Sequence, residues 1–428
     1  MVKINRRRAL IAGVVLLILL PFFITCASVI QHAVNVPFMD DWETVRLFQK
    51  VDAHTLSIAD LWQQHNEHRI FFINLITVTL GSLTHWHQGV LMMVSEFFVL
   101  IALAALCAYA WPEVRKRPIP GVIGLFLISA LLFSLGQWEN WVRALQLQWF
   151  LCIAAGVLAL YILDARTTFA SFRVRYGLAI ACCVVSSYSL GSGIFFWAAC
   201  LVPLVIQKRP RLVIEGWILA ALACLALYFY HYTFLENSAV GVTLGEKLQF
   251  FFAYLGNVFT YNQEIAVVLG VMLVGLAVVA VWYARRVRRL PWTQLTLPLG
   301  LMIFSLLSDA VTTESRATFQ GAFGAVNSKY ATVSTLLVVA LVLLFIQVYR
   351  AKHNAGPALV MVIVLPLLWA ISLHGLGKMR DMQQTLTAVG ECLHAPTPTQ
   401  ACLASAHPSP GKVAENLPIL KRKHLAGF

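Results

Sequence analysis

Two adjacent carboxylates, Asp40 and Asp41, stand just after the first apolar block of the chain, in the run Asn35-Val36-Pro37-Phe38-Met39-Asp40-Asp41-Trp42-Glu43. Such a pair can orient and deprotonate a hydroxyl, or ligate a hard divalent cation. The same residues can instead serve a helix, Asp40 as its N-cap and Asp41 as a favourable charge at its positive end. Further along, His65-Asn66-Glu67-His68-Arg69 gathers two imidazoles, a carboxylate and a guanidinium. A spacing of three can put both histidines on one helical face, but the zinc-protease pattern needs a spacing of four, and no third ligand stands nearby. Anion binding suits His65, His68 and Arg69 better, at a depth where a lipid phosphate would lie. Glu67 suits a structural pair with Arg69 or Arg143.

Trp138 and Trp141 flank Glu139 and Asn140. That arrangement fits a platform for a carbohydrate or a headgroup, and equally the aromatic belt of any membrane protein. After position 312 the chain supplies Arg316 and Lys329, each suited to a phosphate contact or a headgroup partner. Asp309 and Glu96 lie inside apolar blocks, where an acid ordinarily faces an interior cavity and a partner. The sequence holds no P-loop, nucleophile elbow, dinucleotide fingerprint or internal repeat.

The elements that must position these residues are membrane spans. Of 428 residues, 59% are hydrophobic and 12% charged, with a mean hydropathy of +0.76, where a soluble chain is about 25% charged. The apolar residues fall into blocks of roughly 15–25, enough to cross a bilayer core of about 30 Å. A soluble enzyme, a disordered chain and a protein with one anchor are thereby excluded. The net charge of +13 is not a nucleic-acid signal, because most Lys and Arg sit in short clusters between apolar blocks, as cytoplasmic loop markers do. Cys26, Cys107, Cys152, Cys182, Cys183, Cys200 and Cys224 lie in apolar blocks and read as packing residues. Cys392 and Cys402 lie in a polar tail, and a disulfide between them would place that tail in an oxidising compartment. Residues 1–30 are basic at the start and lack a small-residue cleavage site, which reads as an uncleaved first span.

Apolar blocks run about 9–30, 90–111, 119–137, 147–165, 175–206, 211–232, 263–286, 294–312, 330–350 and 355–374. Two segments are ambiguous. In one reading, 70–86 lies at the outer interface and 175–206 is a pair of short helices turning at 189–193. In the other, 70–86 crosses and 175–206 is a single span. The first keeps Arg115, Arg166, Arg173, Arg175, Lys208, Arg285, Arg350, Lys352 and their basic neighbours on the cytoplasmic side, which the orientation rule for short loops favours. Both readings give an all-α polytopic membrane protein with about 11 transmembrane helices, N-terminus inside and C-terminus outside. The membrane domain covers 1–375. Its first outer loop, 31–89, carries surface helices that lay Trp42, Val45, Leu47 and Phe48 on the membrane. A short outer tail follows over 376–428, and its basic end, Lys421-Arg422-Lys423, suits anionic headgroups. Every polar cluster with chemistry falls on the outer side.

This pattern resembles the GT-C superfamily of membrane glycosyltransferases, most closely the bacterial members that decorate cell-surface glycans or lipids. The carrying residues are Pro37-Phe38-Met39-Asp40-Asp41-Trp42 after the first span, His65-Asn66-Glu67-His68-Arg69, the Trp138-Glu139-Asn140 loop, and Asn327-Ser328-Lys329-Tyr330. The last segment often reads Ser-Arg-Tyr in that family and here has Lys329 in place of the arginine. The resemblance implies a polyprenyl-phosphate-linked sugar donor, a glycan or lipid acceptor, membrane lipids as surroundings and no nucleic acid. It implies Asp40 or Asp41 as base, cationic stabilisation of the leaving phosphate by His68, Arg69, Arg316 and Lys329, and inversion at the anomeric carbon. Trp42, His65, Glu67, Glu139, Asn140 and Tyr330 complete the expected substrate contacts. Metal use varies in the family, so Mg or Mn stays open. The implied location is the bacterial inner membrane with a periplasmic site. Rival readings are an O-antigen polymerase or ligase, an acyltransferase, a lipid or glycan flippase, and a non-enzymatic membrane subunit. A flippase would need inverted repeats and broken helices around a midplane site.

Overall fold

The computed structural model describes residues 6–234, 241–320, 322–349 and 355–428, and is almost entirely helical. Its helices are α1 (Arg6–His32), α2 (Val45–Asp52), α3 (Ile58–Leu61), α4 (Phe71–Thr84), α5 (Gln88–Lys116), α6 (Pro118–Leu132), α7 (Trp138–Trp141), α8 (Leu147–Leu163), α9 (Phe172–Ser187), α10 (Phe195–Ile206), α11 (Arg211–Phe229), α12 (Leu244–Gly256), α13 (Gln263–Trp282), α14 (Thr296–Gln320), α15 (Ala331–Val348), α16 (Ala355–His394), α17 (Gln400–Ala406) and α18 (Pro410–Lys423). Between α3 and α4 a hairpin pairs β1 (Gln64–His65) with β2 (His68–Arg69). Among the described residues, α1, α5, α6, α8, α11, α13, α14, α15 and α16 are long and apolar enough to cross a membrane. The protein is a polytopic helical membrane protein.

Burial sorts these helices into layers. The central stretch of α15 is 89% buried, against 17% for α1 and α11. A helix apolar all round belongs either in a protein interior or against lipid; α15 takes the first place and α1, α11 and α13 the second, with Leu219 and Met272 facing outward. Small residues let backbones approach. A Cβ at Gly256 or Gly270 would lie 1.9 Å from a carbonyl oxygen of the opposite helix, so α12 and α13 touch only because both positions are glycine. Phe196 stacks on Phe304 with centroids 3.7 Å apart and joins α10 to α14.

Both ambiguous segments form helices shorter than a full span. Helix α4 has 14 residues, about 21 Å at 1.5 Å per residue, short of a bilayer core. Residues 175–206 break into α9 and α10 around a 3-10 turn, Gly191–Ile194. A Cβ at Gly193 would collide with the Ser186 carbonyl oxygen at 2.0 Å, so the glycine permits the tight return. The nine full-length spans among the described residues fall below the expected count of about 11; α6 and α8 reach full length with their adjoining turns, as Pro118–Trp141 and Ala144–Leu163, whereas α9 has 16 residues and α10 with its turn covers Gly191–Ile206. The orientation markers Arg350 and Lys352 lie outside the described residues.

The first loop and the C-terminal segment differ from expectation. Trp42, Val45, Leu47 and Phe48 are buried in protein and do not lie on a lipid surface. Their partners come from α4 and from the end of the chain: Val36, Trp42, Val45 and Phe48 share one apolar cluster with Leu403, Val413, Leu417 and Leu420. Helix α16 runs unbroken through position 375 for 40 residues, about 60 Å, twice a bilayer core. Beyond it, α17 and α18 fold back onto the first loop, and Cys392 and Cys402 form a disulfide between α16 and α17. The basic end is engaged within the protein: Lys423 pairs with Asp52, and Lys421 donates to the Ala395 carbonyl at 3.0 Å. Loop and tail thus form one cap at one end of the helix bundle.

Candidate functional site

Under the cap lies a cavity of about 490 Å³, lined by Asp40, His65, Glu67, His68, Arg316, Lys329 and Tyr330 together with Trp149, Gln146, Gln148, Ser192 and Tyr232. Residues from the first loop and from α14 and α15, far apart in sequence, meet here.

The hairpin sets the first wall. A two-residue turn, Asn66 and Glu67, joins β1 to β2, with Asn66 at φ 49°, a conformation asparagine tolerates. His65 and His68 are therefore cross-strand partners and do not share a helical face. The Glu67 carbonyl accepts from the Tyr228 and Tyr232 hydroxyls at 3.0 and 3.1 Å, which ties the hairpin to the end of α11. Its carboxylate accepts from Arg316 Nη2 at 2.6 Å. Glu67 thus pairs with Arg316, not with Arg69 or Arg143. His68 packs against Gly191, where a Cβ would stand 2.7 Å from His68 Nδ1. Burial pushes the His68 imidazole down to about 4, so at neutral pH it is an uncharged ring and not the cationic phosphate donor expected of it.

The acidic pair divides. Both carboxylates sit on the 3-10 turn Met39–Thr44. Asp41 is buried and accepts the Phe38 N–H at 3.1 Å, so Asp41, rather than Asp40, closes the start of this turn. Burial pushes Asp41 up to about 6, against the opposing pull of Arg143. Asp40 faces the cavity. Its Oδ2 lies 3.8 Å from His65 Nε2, and His65, ahead of the charges of Arg143 and Lys329, holds Asp40 down at about 2. A deprotonated carboxylate is the resting form at this wall.

The segment before α15 brings a lysine to the same lining. Lys329 sits on the 3-10 turn Ser328–Tyr330, whose cap is Asn327. The Asn140 amide donates to the Lys329 carbonyl at 2.9 Å and to Thr332 Oγ1 at 2.8 Å, which anchors that turn from the α7 side. The Lys329 ammonium lies 5.4 Å from the Tyr330 ring centroid, and among the described residues it makes no salt bridge. Trp149 meets Tyr330 edge-on at 6.0 Å.

Several expected contacts are structural instead. Trp42 is wholly buried in the cap core. Arg69 is buried and donates to the carbonyls of Tyr228, Trp62 and Tyr230, which consumes the fork that was to hold an anion. Glu139 pairs with Arg143 at 2.6 Å behind the cavity wall, and Asn140 is completely buried. Trp141 stacks on Phe150 at 4.2 Å in the core, so the Trp138–Trp141 segment is no open platform. Among the described residues no group of three or more His, Cys, Asp or Glu is placed to hold a metal; Asp40 and Glu43 lie on opposite nitrogens of His65 and do not converge. Asp309 is buried beside the cavity, with Thr313 Oγ1 3.3 Å from its Oδ1. Both oxygens of Glu96 are buried without a hydrogen-bond partner among the described residues, and no partner of the expected kind faces it.

Sequence reasoning missed Trp149, Gln146 and Gln148 on and before α8, and Ser308, Thr312 and Ser315 on α14. The α14 residues carried a signal, since positions 308, 312, 315 and 316 form a polar stripe at helical spacing through an apolar block.

Fold and site together define a multi-pass helical membrane protein with a charged cavity beneath a cap at one end of the bundle. Compared with known protein families, with curated proteins and with solved structures, the chain matches none.

Proposed function

We propose that the protein is a membrane glycosyltransferase of the GT-C kind, moving a sugar from a polyprenyl-phosphate donor to a glycan or lipid acceptor. One observation carries the reading: an ionised carboxylate, Asp40, and two cations, Lys329 and Arg316, from distant parts of the chain line one cavity at the end of a membrane bundle. A donor anchored by a polyprenyl tail presents its phosphate at that depth and needs no nucleotide fold. The acceptor hydroxyl attacks the anomeric carbon, its oxygen forms the new glycosidic bond, and its proton passes to Asp40. The bond from the anomeric carbon to the phosphate oxygen breaks, and the electron pair leaves with the lipid phosphate. Held low, at about 2, Asp40 is ionised at neutral pH; as a weak base it takes the proton only after the new bond to the anomeric carbon has made that proton strongly acidic. Lys329 and Arg316 offset the charge growing on the leaving phosphate. Lysine supplies a point charge where arginine would supply a fork. Attack opposite the phosphate inverts the anomeric centre.

Counting α9, and α10 extended through its 3-10 turn to Gly191–Ile206, as two short crossings gives eleven spans, and the Lys/Arg bias of the loops favours a cytoplasmic N-terminus and a periplasmic cap in a bacterial inner membrane. The disulfide in the cap supports that side. The test incubates purified protein with polyprenyl-phosphate sugars and extracted surface glycans and follows lipid-phosphate release. Wild type is expected to transfer and Asp40→Asn to lose transfer; undiminished transfer by Asp40→Asn removes the assigned base.

A further inference from the structure

One chain of charges links the cap to the cavity, and the reaction just described does not use it. His65 Nε2 lies 3.8 Å from Asp40 Oδ2, and His65 Nδ1 lies 3.8 Å from Glu43 Oε2. The imidazole is only 10% exposed. Asp40 and Glu43 stand three residues apart on a 3-10 turn, where side chains at that spacing eclipse and share a face. Glu43 is in turn paired with Lys412 of α18.

We propose that His65 is a positioning residue for Asp40, and that Lys412, acting through Glu43, makes the C-terminal helix part of the site. This rests on the reading of Asp40 as the base. An imidazole standing between two carboxylates, one beside each ring nitrogen, has its ring plane set by both. At 3.8 Å these are ion-pair contacts rather than hydrogen bonds. Asp40 Oδ2 is held toward the ring, and Oδ1 is left for the acceptor. The other groups that bear on this chain are Asn66, whose amide lies 3.5 Å from His65 Nε2, His68 across the hairpin, and Arg143 and Lys329 on the far side of Asp40. Without Lys412, Glu43 turns to solvent and His65 loses one of its two holds.

The test uses the full-length protein in nanodiscs and reads carbodiimide labelling of Asp40 by peptide mass spectrometry between pH 4 and 6. Carbodiimide reacts with the protonated carboxyl. Wild-type Asp40 is expected to resist. His65→Gln is expected to label at least fivefold faster, Lys412→Gln about twofold faster, and Lys412→Arg at the wild-type rate. Equal labelling in wild type and His65→Gln overturns the role of His65, and equal labelling in Lys412→Gln overturns the link to α18. In parallel, Lys412→Gln is expected to lower kcat for sugar transfer about threefold with KM unchanged. Shifted labelling in a protein that transfers no sugar keeps the positioning and discards the enzyme reading; normal transfer with unmoved labelling does the reverse.

Discussion

Adjacent residues of one type acquire opposite characters from their surroundings, a histidine for Asp40 and burial for Asp41. Asp40 faces a wet cavity and a histidine and is held at about 2; Asp41 turns into the cap core and is pushed up to about 6. Asparagine separates their roles because it keeps the shape and one acceptor oxygen. Asp40→Asn removes the base, and general-base loss costs about 100-fold or more, read as the rate of lipid-phosphate release. Asp41→Asn keeps the acceptor for the Phe38 N–H and removes a buried ionisation. The sign follows from linkage: a carboxyl whose folded value is raised binds more protons folded than unfolded, so wild-type stability falls as pH rises from about 4 to about 6. The thermal midpoint of Asp41→Asn is therefore expected to exceed that of wild type at pH 7.5 and to converge with it below about pH 4. Lys329 belongs to the same scale. Loss of one preorganised charge from a leaving group costs about 10²–10³ in kcat, so Lys329→Ala is expected to fall in that range and Lys329→Arg to keep most of the activity.

At the scale of elements, the site depends on short irregular pieces held by long regular ones. The hairpin carrying His65, Glu67 and His68 is fixed by Tyr228 and Tyr232 at the end of α11 and by the bare backbone of Gly191 before α10. A methyl at Gly191 needs space that His68 occupies. Gly191→Ala is accordingly expected to lower transfer about tenfold while the thermal midpoint in detergent stays within a few degrees, since the spans themselves are untouched. A midpoint that collapses along with activity would assign Gly191 to packing instead. The spans were legible in the sequence because a bilayer demands a run of apolar residues whatever the fold. The break at 186–193 was legible from its Ser and Gly. The hairpin was not: a two-residue strand leaves no periodicity, and its pairing is set by partners more than 150 positions away. Arg69 shows the same limit. A guanidinium at an interface invites an anion, but three backbone carbonyls from α3 and α11 reach it first, and no local pattern announces them.

For the whole molecule, the cap ties the first loop and the C-terminal helices into one body, so both stand on the same side of the membrane. Glu43 with Lys412, Asp52 with Lys423, and the Ala426 N–H donating to the His85 carbonyl at 2.9 Å all cross between the two segments. An even number of crossings between them and a cytoplasmic N-terminus is thereby linked to the side on which the cavity opens, and one measurement reads both. In intact spheroplasts, a membrane-impermeant maleimide is expected to leave Cys392 and Cys402 unmodified, because they are joined. After an impermeant reductant, Cys392, half-buried at the end of α16, is expected to react from outside, while Cys152, Cys183 and Cys200, buried within the bundle, stay protected. Reaction of Cys392 only after the cells are opened would put the cap, and Asp40 with it, in the cytoplasm. The basic loops at the other end of the bundle would then face outward, against the orientation rule, and the disulfide would stand where one is not maintained.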